Sequence, residues 1–452
     1  MIIKFTNKNA MLTLTRLLLT SVCLSSPLLV QAIDLNEAYN MALEHDAETH
    51  IAYNQLLASK ELKPQALAAL LPSINASASS KDTRQESENS FSGSGKSTAQ
   101  FRDEGFAVAL RQPVFNWGSF ERFKQAGKQV SKAEIQYRQA EQALIFRVTD
   151  SYLNTLQSDV NLKLANDNLS AFNRQLDQAK QRFEVGLIAI TDVHDAQARY
   201  DLSVATQIAA QDTLYSAQEA LREIIQSDQI ELSPLADNLS LSTPQPNNMA
   251  TWESTAQTDN LAIEMARLDV KIAKKEVSIN RAGHYPTVDV VASHTYSETG
   301  GGSFGSGFRS ESDSLGLELN LALFSGGKTQ SLIKQAAFNH QASLDTLQSL
   351  QRSTLRETRD AFRGITTNLQ RIQALRQAIV SNQSSLDASE IGLEVGTRTI
   401  VDVLDAQSNL SLAKLELTEA KKNYILSVLS LKKAAGALSI NDVQQVNQWL
   451  VH

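Results

Sequence analysis

The groups in this chain most able to do chemistry are carboxylates, and they sit in a motif that is written twice. Glu184-Val-Gly-Leu-Ile-Ala-Ile-Thr-Asp-Val-His-Asp-Ala-Gln197 returns 210 residues later as Glu394-Val-Gly-Thr-Arg-Thr-Ile-Val-Asp-Val-Leu-Asp-Ala-Gln407, identical at nine of fourteen positions. Each copy has a turn glycine (Gly186, Gly396) followed by an acidic helix start (Asp192, Asp195; Asp402, Asp405). Asp402 and Asp405 stand at i and i+3, hence on one helix face. Acids in a first helical turn complement the positive end of the helix dipole. A helix–turn–helix repeated at this distance makes the chain two structural repeats.

Catalytic readings find no support in the residue pattern. The seven histidines are scattered, and none stands with acids at the spacing of a metal-binding H-E-x-x-H. Gly301-Gly-Ser-Phe-Gly305 fits G-x-S-x-G in form, but it lies in a Gly/Ser loop with no helix after it. Gly95-Lys-Ser97 ends like a phosphate-binding loop, yet Ser90 occupies the place of its first glycine. No catalytic residue, metal site or cofactor is expected.

The elements that must position the carboxylates are long. No proline occurs from 114 to 233 or from 287 to the end, as long helices require. Ala126, Val130, Ala133, Tyr137, Ala140 and Leu144 alternate spacings of four and three. Val403, Ala406, Leu410, Ala413, Leu417, Ala420 and Tyr424 do the same. This 3.5-residue period marks coiled-coil packing, with alanines allowing close approach. Helices are expected at about 119–184, 190–227, 327–392 and 400–436. Pro64 and Pro72 are expected to end a shorter first helical region, and Pro234, Pro244 and Pro246 mark the midpoint.

Strands are expected at about 73–86, 102–115, 286–299 and 312–324, flanking polar Gly/Ser segments. Leu315, Leu317, Leu319, Leu321 and Leu323 are apolar at every second position, a period of two with one apolar face. Such hairpins suit either a soluble sandwich or a membrane barrel with lipid outside and water inside. The strand–helix junctions repeat as well: Pro113-Val-Phe-Asn-Trp-Gly118 aligns with Ala322-Leu-Phe-Ser-Gly-Gly327 at an offset of 209, superposing Phe115 and Phe324. Aromatics at this depth suit an interfacial belt or a packed corner, which are compatible.

The chain opens with a basic stretch (Lys4, Lys8, Arg16), a mostly apolar run from Leu17 to Val30, and Val30-Gln31-Ala32. Residues 1–32 are therefore expected to be a secretory leader. The leader carries three basic and no acidic residues, so removing it takes the net charge from −7 to −10, which argues against nucleic acid as a partner. Cys23, the only cysteine, lies in that leader, so the remainder cannot rely on disulfides. Beyond it no apolar run approaches 20 residues, so any membrane crossing falls to β-strands.

The second copy of the motif, Val395-Gly-Thr-Arg-Thr-Ile-Val-Asp-Val-Leu-Asp-Ala406, resembles the periplasmic entrance of TolC-type outer-membrane efflux and type I secretion channels. The resemblance runs from about 34 to 447 and includes Arg174-Gln-Leu-Asp177, Gln181-Arg-Phe-Glu-Val-Gly186, Ile190-Thr-Asp-Val193 and Ala378-Ile-Val-Ser-Asn-Gln-Ser-Ser-Leu-Asp387. It implies a mixed α and β membrane protein: a homotrimer with a twelve-stranded β-barrel, four strands per chain, continued by a long coiled-coil α-barrel. Residues 33–233 would be the first repeat and 234–439 the second. The segments 228–283 and 440–452 would contribute to an equatorial belt.

The resemblance also implies residue roles. Asp402 and Asp405 would form acidic rings in a narrow pore, a route to cation selectivity. Arg398 would lock the resting entrance against Thr191 and Asp192 on the neighbouring helix pair through charge-assisted bonds. Leu393 departs from the family, which usually has a tyrosine in that lock. The tips around Val185, Gly186, Val395 and Gly396 would dock a periplasmic adaptor protein, itself joined to an inner-membrane transporter. The implied function is an outer-membrane exit duct in contact with outer-membrane lipid, not catalysis. The competing expectation is a secreted trimeric coiled-coil fibre or adhesin without a pore, against which the alternating strands and their repeated junctions argue.

Overall fold

The computed structural model describes residues 32–87, 97–228, 230–236, 239–301 and 306–451. The expected leader lies almost wholly outside these residues, as do most of Gly95-Lys-Ser97 and all but the first residue of Gly301–Gly305. The chain runs α1 (Leu35–His45), α2 (Ala47–Lys60), α3 (Leu62–Ala68), β1 (Ser73–Ser87), β2 (Ser97–Phe115), α4 (Trp117–Glu184), α5 (Ile190–Ile225), α6 (Met249–Asp259), α7 (Leu261–Arg281), β3 (Thr287–Thr299), β4 (Phe308–Asn320), α8 (Lys328–Glu394), α9 (Ile400–Ala434) and α10 (Ile440–Asn447). Two long-helix hairpins, α4/α5 and α8/α9, each follow a β-hairpin, as the repeat predicts. The 68-residue α4 is about 100 Å long at 1.5 Å per residue. No helix among the described residues is long and apolar enough to cross a membrane.

The four strands form one antiparallel sheet in the order β1-β2-β3-β4, so the repeats join through β2 and β3. Its register puts Ile74, Leu110, Ala292 and Leu315 in one row, with Leu317 beside Val290 and Leu319 beside Val288 on the same face. Leu315, Leu317 and Leu319 are 80%, 75% and 67% exposed, so none of the described residues covers this face. At its far end Phe106 stacks on Tyr296 with ring centroids 5.4 Å apart. Trp117, Phe115 and Phe324 stand exposed at the near end, beside the helices. The opposite face carries Ser, Thr, Gly and charge. There Arg111 donates to Asp289 at 2.7 Å and to Glu318 at 2.6 Å, joining β2, β3 and β4.

Four boundaries differ from expectation. β2 and β4 begin earlier, because Ser97 pairs with Ser87 and Phe308 with Thr299, and pairing overrides weak local preference. β4 stops at Asn320, opposite Thr287 where β3 begins, so Leu321 and Leu323 continue the alternation without a partner strand in the chain. Pro64 does not end a helix: it sits in the first turn of α3, where its missing N–H has no intrahelical partner to lose.

The expected coiled-coil seam is clearest in α9, where Val403, Ala406, Leu410, Ala413, Ala420 and Tyr424 are buried. In α4, Ala126, Ala133 and Leu144 are buried, and Ile135 joins them. Apolar burial gathers in two places. One core surrounds the middle of the long helices, joining Leu35, Leu144, Tyr152, Ile365, Tyr424 and Val443 from α1, α4, α8, α9 and α10. Here Asn447 accepts from the Leu35 N–H at 2.9 Å, so the end of the chain caps the first helix. Within 228–283, α7 packs along α4 and α8 and leads into β3.

Tyr152 ties this middle together. Its hydroxyl lies 3.0 Å from the carbonyl oxygens of both Ile33 and Ser233, and burial pushes the phenol above its ordinary range. Tyr152→Phe leaves both buried carbonyls without this donor. It is expected to cost about 1–3 kcal/mol, read as a lowered guanidinium midpoint of the detergent-solubilised protein.

Candidate functional site

The second buried core lies at the helix tips, where the duplicated motif places its turns. Both turns close on a glycine in the left-handed region, Gly186 (φ 74°) and Gly396 (φ 78°). In the first, Leu187 N–H donates to Arg182 O at 2.9 Å; in the second, Thr397 N–H donates to Gly392 O at 2.8 Å. These are the helix-terminating turns for which glycine is favoured. Their apices are exposed and apolar: Val185 is 70% and Val395 68% exposed.

The next helix starts differently in the two copies. Thr399 and Asp402 form a capping box: Asp402 Oδ2 accepts from the Thr399 N–H at 2.8 Å and from its hydroxyl at 2.9 Å. In the first copy Ala189 is the cap residue and supplies no side-chain bond. The Thr399 hydrogen bonds hold the Asp402 carboxyl below its ordinary value of 3.8, with Arg398 adding to the effect. A carboxyl lowered on folding stabilises the fold above its unfolded pKa and loses that contribution as pH falls through the lowered value. Asp402 is therefore ionised at neutral pH and serves as a helix-start acid.

Arg398 turns back on its own hairpin. Its Nη1 lies 3.7 Å from Asp402 Oδ1, and its stem crosses Gly392 so closely that a Cβ there would come within 2.6 Å of Arg398 Cγ. Among the described residues Arg398 makes no bond to Thr191 or Asp192 within the chain.

Leu393 is not an idle lock position. It is 5% exposed and sits in the tip core with Phe172, Leu176, Ala196, Ile400 and Leu404, which spans both hairpins. Its carbonyl oxygen accepts from Arg182 Nη1 at 2.9 Å, a bond from the first repeat to the second. Asp405 does not stand alone either: Arg199 on α5 donates to its Oδ1 at 2.7 Å. Asn168 on α4 accepts from Gln407 and Ser411 on α9 at 3.0 and 2.6 Å. The structure thus brings Asp402, Asp405, Arg398 and Leu393 to one end of the molecule, with Thr191 and Asp192 at the start of the adjoining α5. Residue types alone did not single out Arg182 or Arg199; the available signal was the departure of Arg199 from its repeat equivalent, Asn409. Among the described residues no group of His, Cys, Asp or Glu is arranged to hold a metal ion.

A β-sheet with an uncovered apolar face, feeding two helical hairpins whose outgoing helices α4 and α8 are each about 100 Å long and which close on each other at the far tips, defines an outer-membrane channel fold. The chain matches the family Outer membrane efflux protein over residues 38–226 and 252–437, one segment in each repeat, and belongs to it. It is 34% identical over 426 residues to outer membrane protein TolC of Vibrio cholerae, covering 93% of this chain and 94% of that protein. The Pseudomonas aeruginosa alkaline protease secretion protein AprF is 27% identical, over 92% of this chain and 87% of its own. Among solved structures, the Campylobacter jejuni CmeC outer membrane channel superposes with a TM-score of 0.78 at 16% identity, over 92% and 90% of the two chains. VceC of Vibrio cholerae superposes at 0.73 with 19% identity, over 89% and 96%.

Proposed function

We propose that the chain forms a homotrimeric exit duct in the outer membrane for drug efflux and type I protein secretion, gated at its periplasmic tips. The observation that carries this reading is the sheet. Among the described residues neither edge strand, β1 or β4, has a partner on its outer side, and one face is a leucine surface bounded by aromatics. A sheet cannot cross lipid with open edges, because each unpaired backbone group there costs several kcal/mol. Three copies joined edge to edge give twelve strands and no edge. The leucine face then meets lipid, and the face bearing Arg111, Asp289 and Glu318 lines water. A fibre would leave the leucines and the strand edges unaccounted for.

In this assembly Asp402 and Asp405 ring the narrow end, giving six carboxylates. Arg398 turns to Asp402 within its own chain, so its lock with Thr191 and Asp192 is a contact between protomers. The exposed Val185-Gly186 and Val395-Gly396 apices suit docking by a periplasmic adaptor that brings an inner-membrane transporter, which supplies the energy.

Orientation tests the reading. With the only natural cysteine at position 23, cysteines can be placed one at a time at Ser306, in the β3–β4 loop, and Asp195, at the tip. A membrane-impermeant maleimide is expected to label Ser306→Cys on intact cells, and Asp195→Cys only after the outer membrane is permeabilised. Equal labelling of both on intact cells would contradict it.

A further inference from the structure

The two hairpins of one chain meet at the tips through the apolar core and a few polar bonds. Among the described residues one ion pair joins them there: Arg199 on α5 with Asp405 on α9, at 2.7 Å. The internal repeat shows that this pair is no by-product of duplication. The motif's offset of 210 carries Asp195 onto Asp405 but Arg199 onto Asn409, so the symmetric contact has no arginine. Alongside it, Arg182 donates to the carbonyl of Leu393, the residue standing where the family usually has a lock tyrosine.

We propose that Arg199 is a positioning residue for the gate: its pair with Asp405 latches the two hairpins of each protomer at the entrance and masks Asp405 while they are closed. This rests on the duct reading above. Separating α9 from α5 breaks the pair, because an ion pair needs its partners within about 4 Å. The closed entrance then presents chiefly the Asp402 ring, and opening unmasks three more carboxylates. Gate and selectivity filter share the same atoms. An exposed pair shifts an equilibrium by a factor of about two to five. Three such pairs on one concerted entrance multiply to roughly tenfold to a hundredfold.

The test uses the full-length protein in planar bilayers at low salt, comparing the parent with Arg199→Ala, Arg199→Glu, Arg199→Lys and the exchanged pair Arg199→Glu/Asp405→Arg. Arg199→Glu, which removes the pair and also sets like charges together, is expected to raise open probability by more than about tenfold to a hundredfold. Arg199→Ala should raise it less and increase the cation preference of the closed-state leak, as Asp405 is uncovered. Arg199→Lys and the exchanged pair should return opening close to the parent, which isolates the pair from either single change. Parent-level opening in Arg199→Glu, with the parent's own conductance intact, would overturn the latch while leaving the duct standing. If neither the parent nor any of these variants conducts, both fall together.

Discussion

Alanine at both Asp402 and Asp405 is expected to bring the cation-to-anion permeability ratio of the trimer to one or below at low ionic strength. Six carboxylates leave the entrance, while Arg199 and Arg398, which pair with them, keep their charge. The local field therefore changes sign rather than merely weakening. Reversal potentials across a salt gradient read this directly. The change should be large near 0.01 M salt, where charges act over about 30 Å, and small near 1 M, where they act over about 3 Å. The single variants should differ. Asp402→Ala also removes the partner of the Thr399 cap, a loss of about 1 kcal/mol of helix-start stability. Asp405→Ala removes no cap but frees Arg199. Unchanged selectivity at low salt in the double variant would leave Asp402 with its helix-start role and Asp405 with its Arg199 pair alone.

The second large effect is expected at Leu393. Leu393→Ala opens a cavity in a core shared by both hairpins, at about 2–5 kcal/mol per protomer. That core holds the hairpins together in the closed entrance, so open probability should rise by more than a hundredfold. Leu393→Tyr separates two pictures of this position. If 393 were a vacant hydrogen-bonding place, a tyrosine would tighten the entrance. In a packed site 5% exposed, a larger ring overpacks instead, at about 1–3 kcal/mol, and loosens it. Lower opening in Leu393→Tyr than in the parent would show that the tip core has room for the ring and that the hydroxyl finds a partner.

Leu393 also shows where reading residues in order stops. The duplicated motif announced both tip turns, because a glycine in the left-handed region followed by an acidic helix start is a local pattern. The α9 seam and the alternating leucines were legible for the same reason: a period of 3.5 or 2 records which side of an element is buried. The starts of β2 and β4 were not, because their first residues are held by partners across the hairpin. Pro64 misled, since proline suits a first turn as well as it breaks an interior. The links between repeats, Arg199 to Asp405 and Arg182 to Leu393, join residues more than 200 positions apart. No spacing rule reaches that far. Asp402 shows the reverse case: its helix-start role was legible locally and is what the chain displays, whereas the proposed ring role would come only with assembly.

Three of these chains are proposed to enclose a gated pore. Single-channel current from the purified, detergent-extracted protein in a planar bilayer tests it most directly. Steady unitary events carried mainly by cations at low salt are expected, with a marked rise in conductance or open time in Arg199→Glu and Leu393→Ala. A folded trimer that inserts and carries no current, in the parent and in the tip variants alike, would contradict it.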